Sequence, residues 1–492
     1  MSVIQDSIRK TILGRIPLVY LESSEERRTI KLLEAVRVEV APDSVLREWS
    51  CVSGLDGMGE ESRDPVVAIC AVLKERRPGF YVFKDLDAFM KLPMVVRVLR
   101  DIYSSGVSEA GVFFFILSPR VDIPESIKKE VHLLTVPMPD GAELLEAVKR
   151  FQGMHAEATF PADHLQEIAL ALKGMTLGES EHLMYRLFQE KRSDRKQIMD
   201  EIFAEKQMIV KKTGYLEFYP PRWDIGQIGG MGAMKEWLTT RKHMFSQEAL
   251  DAGIPIPKGL LMMGVSGCGK SLAVKVISSL WNIPLFRLDM SLVFSGLYGT
   301  PEAAFHNALG TIEAVSPALL WIDEIENALG MDESGNSISS QIFSSFLTWM
   351  QEKPPLVFIA ATANKINALP AEVLRKGRFD EVFFIDLPND IERQEIIEIH
   401  LRNQGADPAQ FDMKTLVAMT KDWNGAEVEQ AVIGARVNAY SEQRTMTMRD
   451  VSFGMTKIVP LSTTMEQQIK FIRSWAFSRA TPASKSARIG RR

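Results

Sequence analysis

The chain has 492 residues, 46% of them hydrophobic and 25% charged, an ordinary globular composition with room for about two to four domains. A formal charge of −5 gives no bulk-charge argument for nucleic acid, and no run approaches the roughly 18 apolar residues of a membrane span. Cys51, Cys70 and Cys268 have neither metal-type nor paired spacing, and "MSVIQDSIRKTILGRIPLVYL" lacks a signal-like apolar stretch, so the expectation is a soluble cytoplasmic protein.

In chain order, "IPLVYLESSEERRTIKLLEAV" predicts a strand, a loop and a helix. "RPGFYVFKDLDAFM" predicts a short buried strand running into Lys84 and Asp85. "GVFFFILSPRVDIPESIKKEVHLLTVPMPD" predicts another, ending near Arg120. "EKRSDRKQIMDEIFAEKQMIVKKTGYLEFYPPRW" reads as a charged helix that Pro220 and Pro221 stop, with an extended connector after it.

"KGLLMMGV" is a near-continuous apolar run, as a parallel strand buried on both faces requires. "KSLAVKVISSLW" follows with helical spacing, Leu272, Val276 and Leu280 sharing one side. Between them, Gly264-Val265-Ser266-Gly267-Cys268-Gly269-Lys270-Ser271 fits G-x-x-x-x-G-K-S. In a strand-to-helix turn, backbone N–H groups and the helix N-terminus face phosphate oxygens. Lys270 then reaches the β- and γ-phosphates of ATP and Ser271 ligates Mg²⁺. Cys268 reads as a variable small position; its alternative is a loop thiol made reactive by the helix N-terminus.

"PALLWIDEIENAL" carries a buried strand into Asp323 and Glu324, at the strand end where ligands of open α/β sheets bind. Asp323 is read as holding Mg²⁺ through water and Glu324 as polarising the attacking water. "PLVFIAATAN" ends on Asn364, a neutral hydrogen-bonding group suited to sensing a γ-phosphate or the lytic water. "LPAEVLRKGRFDEVFFIDLP" then sets Arg375 and Arg378 on a polar turn, where arginine can stabilise phosphoryl-transfer charge, often from a neighbouring subunit.

The first half repeats this layout without its chemistry. "RPGFYVFKDLDAFM" copies "SPALLWIDEIENAL", with Lys84 in the place of Asp323 and Asp85 keeping the following acid. Arg120 stands at the asparagine position, "GRF" is missing, and "LKGMTLGESEHLMYRL" resembles "TKDWNGAEVEQAVIGA". A lysine adds positive charge where Mg²⁺ would sit. An unrelated α/β domain with similar strand rhythm is the alternative.

Residues from about 222 to 460 resemble an AAA-type ATPase module: the Walker motifs, Asn364 as sensor 1 and the "RKGRFD" second region of homology follow in that family's order. Nearly the full length resembles the AAA proteins encoded by cyanobacteria and algal plastids. The fold this implies is α/β, a P-loop NTPase (AAA) module with a C-terminal helical lid, preceded by a degenerate AAA-like α/β domain. The expected boundaries are 1–190 for the degenerate domain, 191–221 for the linker, 222–390 for the large ATPase subdomain, 391–460 for the lid and 461–492 for an amphipathic segment and basic tail.

The resemblance also implies that Ile228 and Gly229 contact adenine, that Ile396 and His400 contribute to the nucleoside site, and that Gly425 and Ala426 mark the lid. It implies a ring, most often a hexamer, that remodels a protein partner. Leu297 stands where threading members carry an aromatic pore residue, with Tyr298 after it, so local remodelling is expected rather than full threading. The rival classes are a nucleotide-dependent binding switch and a nucleic-acid motor working through the basic tail, the latter not favoured. "EQQIKFIRSWAF" reads either as an amphipathic helix docking Ile469, Ile472 and Trp475 or as the start of a solvated tail.

Overall fold

The structure is a computed structural model; it describes residues 3–154, 162–190, 194–211, 214–245, 249–250, 252–297, 299–326, 337–365, 369–375 and 377–485. The chain divides into two compact units, Met1–Asp140 with Thr176–His182, and Gly141–Met175 with Leu183–Arg492.

In the first unit, strands β1 (Leu18–Glu22), β2 (Val45–Ser50), β3 (Gly54–Leu55), β4 (Gly79–Lys84), β5 (Val112–Ser118) and β6 (His132–Thr135) form one sheet in the order β3-β2-β4-β5-β1-β6. All pairings are parallel except β2 with β3. The apolar runs are explained by burial on both faces. Tyr20, Tyr81, Phe83 and Phe114 enter one core, while Val19, Phe80, Val82 and Phe115 enter the other.

In the second unit, β7 (Leu216–Tyr219), β8 (Gly259–Gly264), β9 (Leu285–Leu288), β10 (Ala318–Ile322), β11 (Val357–Ala363), β12 (Glu381–Ile385) and β13 (Thr481–Pro482) are ordered β13-β12-β8-β11-β10-β9-β7. The run β9-β10-β11-β8-β12 repeats the neighbour order β2-β4-β5-β1-β6, and each sheet has a short antiparallel edge strand beside β9 or β2. The internal repeat seen in the sequence is therefore a repeat of sheet topology.

One local feature differs from the sequence expectations and two sharpen them. Residues 216–219, read as the end of the charged helix before Pro220, form an edge strand because Leu216 and Phe218 pack into the sheet's core. The helix Lys270–Trp281 buries Ala273, Val274, Val276, Ile277 and Trp281, and leaves Leu272 and Leu280 only half-buried. A helix enclosed by sheet and neighbouring helix hides a wider face than a single stripe. Third, residues 466–485 are not a solvated tail: helix Glu466–Ala476 docks Ile469, Ile472 and Trp475, and Thr481–Pro482 extends the sheet beside β12. Residues 486–492 lie outside the described residues.

Helices Asp390–Asn403, Met413–Met419, Gly425–Ser441 and Met448–Thr456 share a core of their own built on Ile397, Leu401, Leu416, Trp423, Val428 and Val432. Among the described residues no helix is long and apolar enough to cross a membrane.

Candidate nucleotide-binding site

A cleft of about 600 Å³ lies at the C-terminal ends of β8, β10, β11 and β12. Ser266 to Ser271 line it, as do Ile228, Gly229, Asp323, Glu324, Asn364, Ile396, His400, Gly425 and Ala426. Gly264 and Val265 lie immediately behind this lining, where their carbonyls accept hydrogen bonds from Lys270 Nζ at 3.0 and 2.8 Å. Arg375 and Arg378 do not join the cleft. Arg375 is solvent-exposed, 4.0 Å from Glu372, and Arg378 Nη1 donates to the Glu372 carbonyl. Leu297 is 74% exposed, and Tyr298 lies outside the described residues.

The end of the cleft at the Gly264–Ser271 turn is built by backbone. Gly264 (φ 147°) passes so close to β12 that a Cβ would sit 2.0 Å from the Ile385 carbonyl oxygen. Gly269 caps the helix Lys270–Trp281 in the left-handed region (φ 86°) and has no side chain to satisfy the first N–H groups. Lys270 is buried, and that desolvation holds its ammonium below the ordinary lysine range. A buried cation beside a bare helix N-terminus calls for an anion, so the residues fit a phosphate chain. Burial likewise pushes the Cys268 thiol up to about 12 despite Lys270, so Cys268 is not a reactive loop thiolate.

The acidic wall is tied together by Thr362. Its Oγ1 donates to Asp323 Oδ1 at 2.5 Å and accepts from the Glu324 N–H at 3.0 Å. Glu324 sits at φ 48°, a conformation that a non-glycine residue holds only when its surroundings enforce it. Asn364 Nδ2 donates to Glu324 Oε1 at 2.9 Å, and buried Glu326 fixes this turn by accepting from the N–H groups of Asn364 and Lys365. Arg287 Nη2 lies 3.8 Å from Asp323 Oδ2. Ser271 and Asp323 both line this cleft and have the oxygen chemistry Mg²⁺ takes.

Farther along the cleft, Ile228, Gly229 and Ile396 line it together with His400 and Glu429. Gly229 approaches Ile396 so closely that a Cβ would lie 2.5 Å from Ile396 Cγ1. Burial keeps the His400 pKa below its ordinary value, with Glu429 opposing. On the lid side, Asn424 Nδ2 reaches the Ser266 carbonyl at 3.3 Å, and the Ala426 N–H reaches the Gly267 carbonyl at 3.0 Å.

Sequence reasoning missed Thr362, Asn424 and a group of residues late in the chain, Ala476, Phe477, Ala480, Pro482 and Ala483, that also line the cleft. The signals present were a hydroxyl inside a buried strand and an N-x-x-E capping box, Asn424 to Glu427.

The same corner of the first unit has its charges exchanged. Lys84 pairs with Glu48 at 2.8 Å and Glu26 at 3.2 Å, and those two carboxylates outweigh burial to hold its pKa above the ordinary lysine value. Glu48 pairs in register with Val82 as Arg287 pairs with Trp321, so Glu48–Lys84 is the inverse of Arg287–Asp323. Asp85 keeps the left-handed turn of Glu324, at φ 52°.

Two family models match the chain: "SpoVK-like AAA ATPase, N-terminal domain" over residues 4–136, and "ATPase family associated with various cellular activities (AAA)" over residues 260–387. The chain is 32% identical over 485 residues to the "Uncharacterized AAA domain-containing protein ycf46" of Pyropia yezoensis, covering 97% of this chain and 98% of the relative. It is 28% identical over 271 residues to the "Putative ribosome biogenesis ATPase nvl" of Dictyostelium discoideum, covering 51% of this chain and 31% of the relative. An "ATP-dependent zinc metalloprotease FtsH" of Ureaplasma parvum is 28% identical over 233 residues, covering 46% and 31%.

Proposed function

Because the chain belongs to the AAA ATPases, in the family of the ycf46 AAA domain-containing proteins, we propose that it hydrolyses ATP with Mg²⁺ as a ring, most simply a hexamer, and that turnover remodels a protein partner. The observation that carries this reading is convergence on one cleft. A buried lysine and a bare helix N-terminus form one wall, Asp323, Glu324 and Asn364 form the other, and Arg375 and Arg378 stay outside.

In this reading Lys270 and the N–H groups of the 264–271 loop hold the phosphates. Glu324, held against Asn364, takes the proton of the attacking water. Ser271 and Asp323 would hold Mg²⁺, which when bound neutralises charge on the phosphates. Ile228, Gly229, Ile396 and His400 take the nucleoside, and Gly425 and Ala426 bring the lid onto the loop. Arg375 and Arg378 serve a neighbouring subunit's cleft, because they do not reach their own. The relatives' names, an ATP-dependent metalloprotease and a ribosome biogenesis ATPase, support ATP-driven work.

The first unit, its matching corner filled by Lys84, Glu26 and Glu48, takes no nucleotide. A cytoplasmic, reducing setting fits three free cysteines. The nucleic-acid reading loses support because each described cation from Lys470 onward is engaged: Lys470 with Glu466, Arg473 with Asp386, Arg479 over Trp475 and Lys485 with Glu236.

The test is ATPase rate per subunit from nanomolar to micromolar protein, alongside Lys270→Ala and Glu324→Gln. A rate that rises with assembly, loss of nucleotide binding in the first variant and retained ATP without turnover in the second are expected. Concentration-independent turnover by monomer, or wild-type turnover in either variant, contradicts the proposal.

A further inference from the structure

The segment after residue 460 makes contacts that the proposed ATP chemistry does not use. Past the lid, it returns to the ATPase sheet and ties itself to both sides of the cleft. At the start of this return, the Leu461 N–H donates to Glu427 Oε1 at 2.6 Å. Glu427 Oε2 accepts from the Asn424 N–H at 2.8 Å, and Asn424 is the residue whose side chain reaches the Ser266 carbonyl. The first tie therefore runs from the phosphate loop through the lid.

In the middle, Arg473 Nε lies 2.9 Å from both carboxylate oxygens of Asp386. Asp386 follows β12 directly, one residue after Ile385, whose carbonyl accepts from the Val265 N–H at 3.1 Å. Shortly after comes Asn389, which caps the first lid helix, so Asp386 stands at the hinge between sheet and lid. At the far end the Ala483 N–H donates to the Phe384 carbonyl at 2.9 Å. The Ala483 carbonyl accepts from the N–H groups of Ala233 and Met234 at 2.9 and 3.2 Å, just past the Ile228–Met231 turn of the nucleoside end. Ala476, Phe477, Ala480, Pro482 and Ala483 give this side of the cleft an apolar lining, with Phe477 left 68% exposed.

We propose that Leu461–Ser484 is a strap belonging to the nucleotide site, closing its nucleoside side, and that Arg473 and Asp386 are positioning residues that hold the sheet–lid hinge in the nucleotide-retaining arrangement. The inference rests on the reading of the cleft as an ATP site. It gives an apolar wall to the base and ribose and leaves the phosphates to Lys270. The competing role is cover for the β12 edge, which would keep the sheet from pairing with other chains whether or not nucleotide is bound.

The experiment uses full-length protein and displacement of a fluorescent ATP analogue in stopped flow, for wild type, Arg473→Asp, Asp386→Arg and the two combined. Each single reversal is expected to release the analogue at least about fivefold faster, since changes within one site act mostly on dissociation, and the double exchange to recover to within about twofold. Saturating nucleotide should also slow tryptic cleavage after exposed Arg479 in wild type and not in Arg473→Asp. Wild-type release from both single variants, or failure of the double exchange to restore it together with nucleotide-independent cleavage, overturns the strap. Lys270→Ala distinguishes the two levels: if it abolishes binding while the strap variants behave as wild type, the strap alone is wrong. If wild type takes up no analogue, the site reading itself falls and the strap with it.

Discussion

Replacing Thr362 by valine removes a hydroxyl without changing side-chain shape, at a position only 2% exposed on the strand that pairs with the phosphate-loop strand. Two hydrogen bonds go with it, one to Asp323 Oδ1 at 2.5 Å and one from the Glu324 N–H at 3.0 Å. A hydrogen bond to a charged group contributes about 1.5–3 kcal/mol, and leaving the Glu324 N–H without its acceptor costs about as much again. If only the equivalent of one bond appears as misorientation of the carboxylates in the transition state, kcat falls roughly 10- to 150-fold. On the proposed reading ATP affinity rests mainly on Lys270 and the loop backbone, so it should change less than about threefold. Thr362→Ser keeps the hydroxyl and should stay within a few-fold of wild type. Steady-state and single-turnover hydrolysis, with ATP Kd measured by fluorescence, separate these terms. Wild-type kcat in Thr362→Val, or a loss confined to Kd, refutes the argument.

Three further outcomes follow from burial. Lys206 is fully buried with Nζ 2.7 Å from the Val315 carbonyl, and burial, with Lys173 adding, brings its pKa to about 7. The unfolded chain then binds the proton more tightly, so folded-state stability rises by about 2 kcal/mol from about pH 7 to pH 9. Urea unfolding of Lys206→Met should lack that increment, and an unchanged pH difference contradicts it. Gly229→Ala should weaken ATP binding about tenfold in calorimetry, because the new methyl meets Ile396; an unaltered Kd contradicts the nucleoside placement. In the folded protein N-ethylmaleimide should label exposed Cys51 and spare Cys268, whose thiol is pushed up to about 12. Equal labelling in a mass spectrum contradicts the buried thiol.

The parts of the site that were legible in the sequence are those whose chemistry is local. The Gly264–Ser271 turn, the Asp323–Glu324 pair and Asn364 each stand at the end of an apolar run, and a parallel strand buried on both faces leaves that signature unaided. The strap was legible only halfway. The spacing of Ile469, Ile472 and Trp475 announces a docked helix, but the partner of Arg473 lies 87 residues away, and no periodicity encodes a pairing at that separation. Thr362 hides in a run of small and apolar residues, where one hydroxyl reads as strand propensity until its two carboxylate-bearing neighbours are seen. The exchanged pairs Glu48–Lys84 and Arg287–Asp323 show the same limit. Lys84 at the metal-carboxylate position was visible in the repeat, whereas the compensating change on the adjacent strand needed the register.

The central claim is that a cleft holding ATP on one subunit is completed by arginines of another, and mixing two inactive variants tests it most directly. Lys270→Ala removes the cleft's grip and keeps the arginines, while Arg375→Ala combined with Arg378→Ala keeps the grip and removes the arginines. Each protein alone should hydrolyse ATP at least about a hundredfold more slowly than wild type, and an equimolar mixture should regain a substantial part of the wild-type rate. A mixture as inactive as its components, or full activity without Arg375 and Arg378, contradicts the account.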